Sequence, residues 1–227
     1  MSSSTIRAIV FDFDGTLVDT ESCAYDAFCR IYEEHGHVLQ LESWALCVGT
    51  IGGPYDPYND LQELTGKALD KAALKERFEV LHDEALREVK LRFGVLALLE
   101  EAKQLGLRIG LASSSDRGWI DRHLKEQGIA DYFEAIYTRD DVELVKPDPA
   151  LYRLAVEALG VQPFEAVAVE DSLNGLKAAK AAGLRAIAVP NPITSHMDLS
   201  QADVQIEGYE DQTLAGLLAR LQAVEAE

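Results

Sequence analysis

The chain has 227 residues, 48% of them apolar, enough for one substantial core or a core with a small accessory domain, and too many for wholesale disorder. Its 39 acidic and 21 basic residues give a net charge of −18, which repels nucleic acid and anionic membranes and keeps the chain soluble without setting its association. No apolar run approaches the roughly 18 residues of a membrane span, and Met1-Ser2-Ser3-Ser4-Thr5 lacks the pattern of a signal peptide, so a cytoplasmic protein is expected.

Ile6–Phe11 is apolar apart from Arg7, as in a strand buried on both faces of a parallel sheet. It runs into Asp12-Phe13-Asp14-Gly15. From Thr20 to about Lys90 the spacing becomes helical, with Ala24, Phe28, Ile31 and His35 on one stripe and Leu74, Phe78, Leu81, Ala85 and Val89 on another. A Gly/Pro-rich loop, Gly49-Thr50-Ile51-Gly52-Gly53-Pro54-Tyr55, lies between them. The three cysteines, Cys23, Cys29 and Cys47, fall in this part of the chain, form no CxxC pair and read as small buried side chains in a reducing compartment.

After about Leu91 strand and helix alternate. Strands are expected at Leu107–Ala112, Ala135–Thr138, Ala166–Val169, Ala186–Val189 and Val204–Ile206. Helices are expected near Gly94–Leu105, Arg117–Gln127, Pro149–Leu159 and Leu173–Ala182, each closed by a glycine (Gly106, Gly128, Gly160, Gly183) in the manner of a left-handed C-cap. The order predicts an α/β fold with a doubly wound, mostly parallel, Rossmann-like sheet. The helical stretch reads as an insertion after the first strand that covers one edge of the sheet.

Sites in such sheets form at the carboxyl ends of the strands. Asp12 and Asp14 follow the first strand, Ser113-Ser114-Ser115 the second, Lys146 comes shortly after the third, and Glu170-Asp171 close the fourth. Asp12 and Asp14 sit two apart on one face of extended chain, and Gly15 permits a tight turn and close backbone approach. Carboxylates gathered this closely need a cation, and hard oxygen donors suit Mg²⁺. Ser113 and the next N–H, at the start of a helix capped by Ser115 or Asp116, can hold an anion. Lys146, held extended by Pro147, can neutralise carboxylates and a phosphate. Trp44, Trp119 and the tyrosines read as core or interface. The histidines match no zinc spacing, and no nucleotide-type glycine loop is present.

Asp12-Phe13-Asp14-Gly15-Thr16-Leu17-Val18-Asp19-Thr20 resembles the first motif of the haloacid dehalogenase superfamily. Ser113 resembles the second motif, Lys146 the third, and Val169-Glu170-Asp171-Ser172 the fourth. The resemblance spans nearly the whole chain. It implies a core of residues 1–18 and 91–227 and a helical C1 cap of residues 19–90. It also implies a Mg²⁺-dependent phosphatase acting on a small phosphorylated metabolite such as a sugar phosphate. Asp12 would be the nucleophile that becomes an aspartyl-phosphate, and Asp14 the general acid and then base. Asp12, the Asp14 carbonyl and Asp171 would hold Mg²⁺, with Glu170 either a ligand or behind one. Ser113, the Ser114 N–H and Gly15 would meet the phosphate, and Lys146 would bridge it to Asp12. Thr20, Gly52, Gly53 and Tyr55 are the candidates for the substrate pocket. Two alternatives compete. A phosphomutase like β-phosphoglucomutase would carry a histidine where this chain has Ala24 and an arginine in the cap loop, where Gly49–Gly53 has none. A phospho-accepting signalling receiver would need neither the inserted helices nor Asp14.

Overall fold

The computed structural model describes residues 5–49 and 55–224, so Gly52 and Gly53 lie outside the described residues. Six strands form one parallel sheet in the order β3-β2-β1-β4-β5-β6. They are β1 (Ala8–Phe11), β2 (Arg108–Ala112), β3 (Ala135–Tyr137), β4 (Ala166–Glu170), β5 (Arg185–Ala188) and β6 (Val204–Gln205). Every predicted strand is present. β1 is central, with Val10 registered against Gly110 on one side and Ala168 on the other.

The alternation of side chains divides the core into two layers. Ile9 and Phe11 of β1, with Ile109, Leu111, Val167 and Val169, face α5 (Val95–Gln104), α6 (Arg117–Glu126) and α9 (Leu214–Val224). The opposite face is built from smaller residues, Ala8, Val10, Ala112, Ala166 and Ala168, and packs on α7 (Ala150–Ala158) and α8 (Leu173–Ala181). Helices on both faces explain why the strands read as continuous apolar runs rather than alternating ones. Gly106, Gly128, Gly160 and Gly183 follow their helices with φ of 71°, 69°, 62° and 89°, the left-handed closure expected of them. Among the described residues no helix is long and apolar enough to cross a membrane.

Between β1 and β2 run α1 (Thr20–Glu34), α2 (Leu41–Trp44), α3 (Pro57–Thr65) and α4 (Lys71–Leu86). Asp19, Asp56 and Asp70 cap α1, α3 and α4 by accepting from first-turn amides. These helices bury a core of their own, with Phe28, Ile31, Tyr32, Trp44, Leu61, Leu74 and Leu81. The three cysteines are half-buried at its margin rather than in its interior, and unpaired.

The insertion does not cover an edge of the sheet, as the sequence suggested. The edges are β3 and β6, whereas the insertion leaves from central β1 and lies over the loops at the carboxyl ends. Asn174 Nδ2 donates to the Val48 carbonyl at 3.0 Å, Ser114 Oγ to the Gly49 carbonyl at 3.3 Å, and Ile193, from the loop after β5, packs into the inserted core. The chain enters and leaves side by side: Val18 and Leu91 form an antiparallel bridge, and the Arg92 amide donates to Leu17 at 2.9 Å.

Candidate active site

Asp12 is the first residue after β1, and its amide continues the ladder by donating to Val169 of β4. That bond fixes the direction in which the carboxylate leaves the sheet. Lys146 reaches it from the loop before α7, with Nζ 2.5 Å from Asp12 Oδ1 and 2.6 Å from Glu170 Oε1. Asp12, Lys146, Glu170 and Asp171 are all buried. One oxygen from each of Asp12, Glu170 and Asp171 lies within 4.8 Å of the others. Three buried carboxylates therefore face one lysine.

The electrostatics follow from that imbalance. Burial pushes Asp12 up to about 7, with Glu170 and Asp14 adding and Lys146 opposing. Asp171 is raised well above the usual carboxylate range by burial and by its neighbours Asp12 and Glu170. Burial alone would lower Lys146, but the charges of Asp12 and Glu170 outweigh it and hold the ammonium charged. A buried group of oxygens whose protons are this hard to remove is the environment a hard divalent cation relieves.

Both oxygens of Glu170 are engaged. Its Oε1 also accepts from the buried Tyr152 hydroxyl at 2.5 Å, and Oε2 accepts from Ser172 Oγ at 3.3 Å. Gly175, in the first turn of α8, lies so close to this carboxylate that a Cβ there would overlap it. Asp171 Oδ1 accepts from Thr16 Oγ1 at 3.1 Å and Oδ2 from Asn191 Nδ2 at 2.7 Å. Asn191 follows β5, a fifth strand end that sequence reasoning missed.

Gly15 was expected to meet the phosphate. Its N–H is instead committed to the Val18 carbonyl at 2.7 Å. Its φ of 81° folds the segment into a tight flap, and an added Cβ would strike the Asp171 carboxylate. Its carbonyl accepts from Arg92 Nη1 at 2.7 Å, and Arg92 also donates to Val189 and Pro190, tying the flap to the loop after β5.

Asp14 is half-buried and held by four donors. Oδ1 accepts from Thr20 Oγ1 at 2.8 Å and Trp119 Nε1 at 2.9 Å. Oδ2 accepts from Ser115 Oγ at 2.6 Å and Ser113 Oγ at 3.4 Å. Thr20, a substrate-pocket candidate, stands beside Asp14 and lines the cavity above it. Trp119 and Ser115 were read otherwise. Asp116 alone caps α6, accepting from Trp119 N at 2.8 Å, which leaves the Ser115 hydroxyl for Asp14. The indole is in the first turn of α6, and that placement aims Nε1 back at the strand end.

A cavity of about 650 Å³ opens above Asp12 and Asp14, between the strand ends and the inserted helices. Ala24, Cys47, Phe78 and His82 line it from the inserted side. Glu21 joins them, pushed up to about 8 by burial and by the charges of Asp14, Asp12 and Asp19. Phe78 and His82 sit one helical turn apart on α4, so the periodicity that marked Phe78 also pointed at His82. Tyr55 does not reach this cavity: its hydroxyl is engaged with Asp60 at 2.9 Å and Tyr32 at 3.0 Å inside the insertion. A larger groove, about 1290 Å³, lies on the far side of the Lys146–Pro149 segment and includes neither Asp12 nor Asp14.

A buried carboxylate beside a lysine, a second carboxylate held by donors, and hydroxyls at a helix start form a set suited to phosphoryl transfer. Similarity to known proteins agrees. Residues 9–189 match the family model for haloacid dehalogenase-like hydrolases. YhcW of Bacillus subtilis (strain 168) is 45% identical over 218 residues, covering 96% of this chain and 99% of its own length. A Thermotoga maritima protein named phosphorylated carbohydrates phosphatase is 30% identical over 187 residues, 80% of this chain and 84% of that one. CbbY from Rhodobacter sphaeroides, solved in complex with phosphate, matches with a TM-score of 0.70 at 34% identity, covering 94% of this chain and 99% of its own. A CbbY mutant solved with xylulose-(1,5)bisphosphate gives the same TM-score and coverage at 33% identity. By its motifs, its sheet and this match across most of its length, the chain belongs to the haloacid dehalogenase-like hydrolase family.

Proposed function

We propose that the protein is a Mg²⁺-dependent phosphatase that hydrolyses small phosphorylated metabolites, phosphorylated sugars among them, through a phosphoryl group carried on Asp12. The observation that carries this reading is the Asp12 carboxylate, buried at the end of the central strand and paired with Lys146 at 2.5 Å. Three buried carboxylates against one lysine leave negative charge that a divalent cation fits. Asp12, Asp171 and the Asp14 carbonyl would hold the ion, and Glu170 would steady Lys146 behind them. When bound, the ion supplies positive charge to the phosphate oxygens and to the attacking carboxylate.

An oxygen of Asp12 attacks phosphorus in line with the ester bond. The phosphorus–oxygen bond to the alcohol breaks as Asp14 gives that oxygen a proton. Asp14 then takes a proton from water, whose oxygen attacks the same phosphorus and frees Asp12 and inorganic phosphate. Lys146 and the Ser113 hydroxyl stabilise charge on the phosphoryl oxygens. Thr20, Ser115 and Trp119 hold the Asp14 carboxylate in line. Residues 19–90 act as the cap over this reaction, and residues 1–18 and 91–227 as its base. Ala24 lines the cavity where a mutase of this family would present a histidine, which favours water as the acceptor.

The test is release of inorganic phosphate from a panel of phosphorylated metabolites with and without Mg²⁺, with Asp12→Asn as control. Release that requires both Mg²⁺ and Asp12 is expected. Substantial residual turnover in Asp12→Asn would remove the nucleophile assignment. Conversion of β-glucose 1-phosphate to its 6-phosphate isomer without phosphate release would make the protein a mutase.

A further inference from the structure

The end of the cavity away from Asp12 carries its own chemistry. Beyond Asp12, Asp14 and Asp171, its walls hold the carboxylates of Glu79, Asp83 and Asp116; Glu21 lines the cavity too, but burial and the charges of Asp14 and Asp12 favour its neutral form. Among the described residues that line it, Arg139 is the one lysine or arginine. That guanidinium is already engaged, with Nη2 3.2 Å from Asp116 and Nε 3.7 Å from Asp140. Glu21, Glu79 and Asp83 form no ion pair among the described residues.

An aromatic wall accompanies these acids. The rings of Phe78 and His82 stack at 4.9 Å and 21°, and those of His82 and Trp119 at 5.6 Å and 10°. This run of faces crosses from the inserted helix α4 to the strand-end helix α6. His82 Nε2 is buried with no hydrogen-bond partner among the described residues. These rings cover one another's faces, so what they give the cavity is an apolar border and the one unmatched His82 nitrogen.

Resting on the phosphatase reading, we propose that this half of the cavity selects the alcohol part of the substrate by charge. It takes monoesters whose alcohol is neutral or bears an amine, and it turns away a carboxylate or a second phosphate. The phosphate that reacts is neutralised by Lys146 and the cation site. Among the described residues lining the cavity, a second anionic group finds only Arg139, an exposed guanidinium it would share with Asp116 and Asp140. It would instead sit in a cavity lined by carboxylates, a repulsion that salt weakens by screening charge over ~8 Å. A bisphosphate such as the one held by the CbbY mutant belongs to the class this cavity excludes.

The test uses four six-carbon compounds of graded charge: glucosamine 6-phosphate, glucose 6-phosphate, 6-phosphogluconate and glucose 1,6-bisphosphate. Their Kd values are measured by calorimetry on Asp12→Asn with Mg²⁺, so that binding is read without turnover. Affinity is expected to fall in that order, by at least about tenfold from first to last at low salt, and the gap to narrow at about 500 mM KCl. Glu79→Lys/Asp83→Lys, two exposed changes on α4, is expected to narrow it as well. Equal affinities, a reversed order, or a gap that the lysine variant leaves unchanged would overturn charge selection. If the order holds but the wild-type protein releases no phosphate from these compounds or from the wider panel of phosphorylated metabolites, the phosphatase reading fails and the selectivity stands.

Discussion

Replacing Lys146 by Met tests the balance of charge beneath the site. The methionine keeps the length of the side chain but leaves the Asp12 and Glu170 carboxylates, formerly 2.5 and 2.6 Å from an ammonium, buried without a cation. Removing one partner of such a buried pair costs about 3–5 kcal/mol. For a chain of this size each kcal/mol moves the midpoint of thermal unfolding by about 2–4 °C, so a drop of roughly 6–20 °C is expected. The sign with pH is determined by Asp12. Its folded pKa, about 7, lies above the ordinary aspartate value of 3.8, so folding disfavours its charged form. That penalty is complete above the folded value and fades as pH falls toward the unfolded one. Without Lys146 the Asp12 pKa rises further, so the deficit of the variant is largest near pH 8 and shrinks toward pH 5.5. Urea unfolding of both proteins at the two pH values, in chelator, measures it. The double change Lys146→Met/Glu170→Gln should recover part of the loss. A Lys146→Met protein within about 0.5 kcal/mol of wild type near pH 8, or a deficit that does not shrink on acidification, would refute this account.

Mg²⁺ affinity should weaken as pH falls below about 7, because protons compete for Asp12 and Asp171, and binding near neutral pH should release protons. Calorimetry in two buffers of different ionisation enthalpy measures that release, and a pH-independent affinity would contradict it. Gly15→Ala places a Cβ against the Asp171 carboxylate at a φ of 81°. It should lose more than the roughly 1–2 kcal/mol of the left-handed strain alone and bind Mg²⁺ more weakly; unchanged urea midpoint and affinity would contradict this. Trp119→Phe keeps a ring but removes the 2.9 Å donor to Asp14. It should lower kcat by about tenfold with little loss of stability, and an unaltered kcat would show that Thr20 and Ser115 suffice.

The strands and the residues that end them were legible because burial on both faces writes each strand as an apolar run, and the chemistry follows at the next residue. Asp12, Ser113, Glu170 and Asp171 stand where that rule put them. Other residues were harder to read, because their contacts come from chain distant in sequence. Trp119 looks like a core residue until the turn of α6 aims its Nε1 at Asp14, 105 positions away. Asn191 carries no local signal, and only the crossover that sets β5 beside β4 brings it to Asp171. Gly15 was marked both as a turn and as a phosphate-binding residue; its φ of 81° makes the turn, and its amide is engaged by the Val18 carbonyl. Tyr55 could not be separated from the pocket by sequence, since its partners Asp60 and Tyr32 emerge only when α1 and α3 pack.

The bridge between Val18 and Leu91 means that residues 19–90 begin and end at one point on the base. Paired residues of this kind stand about 4.5–5.5 Å apart, a gap that a two-residue turn can close. To the sheet, the whole helical insertion is thus a single surface loop, and closing even a long loop costs only about 0.6 kcal/mol for each doubling of its length. Such an attachment lets the upper part be exchanged, enlarged or removed with little consequence for the folding of the part below. A lineage could remodel what the enzyme recognises while the residues that perform the chemistry stay in place.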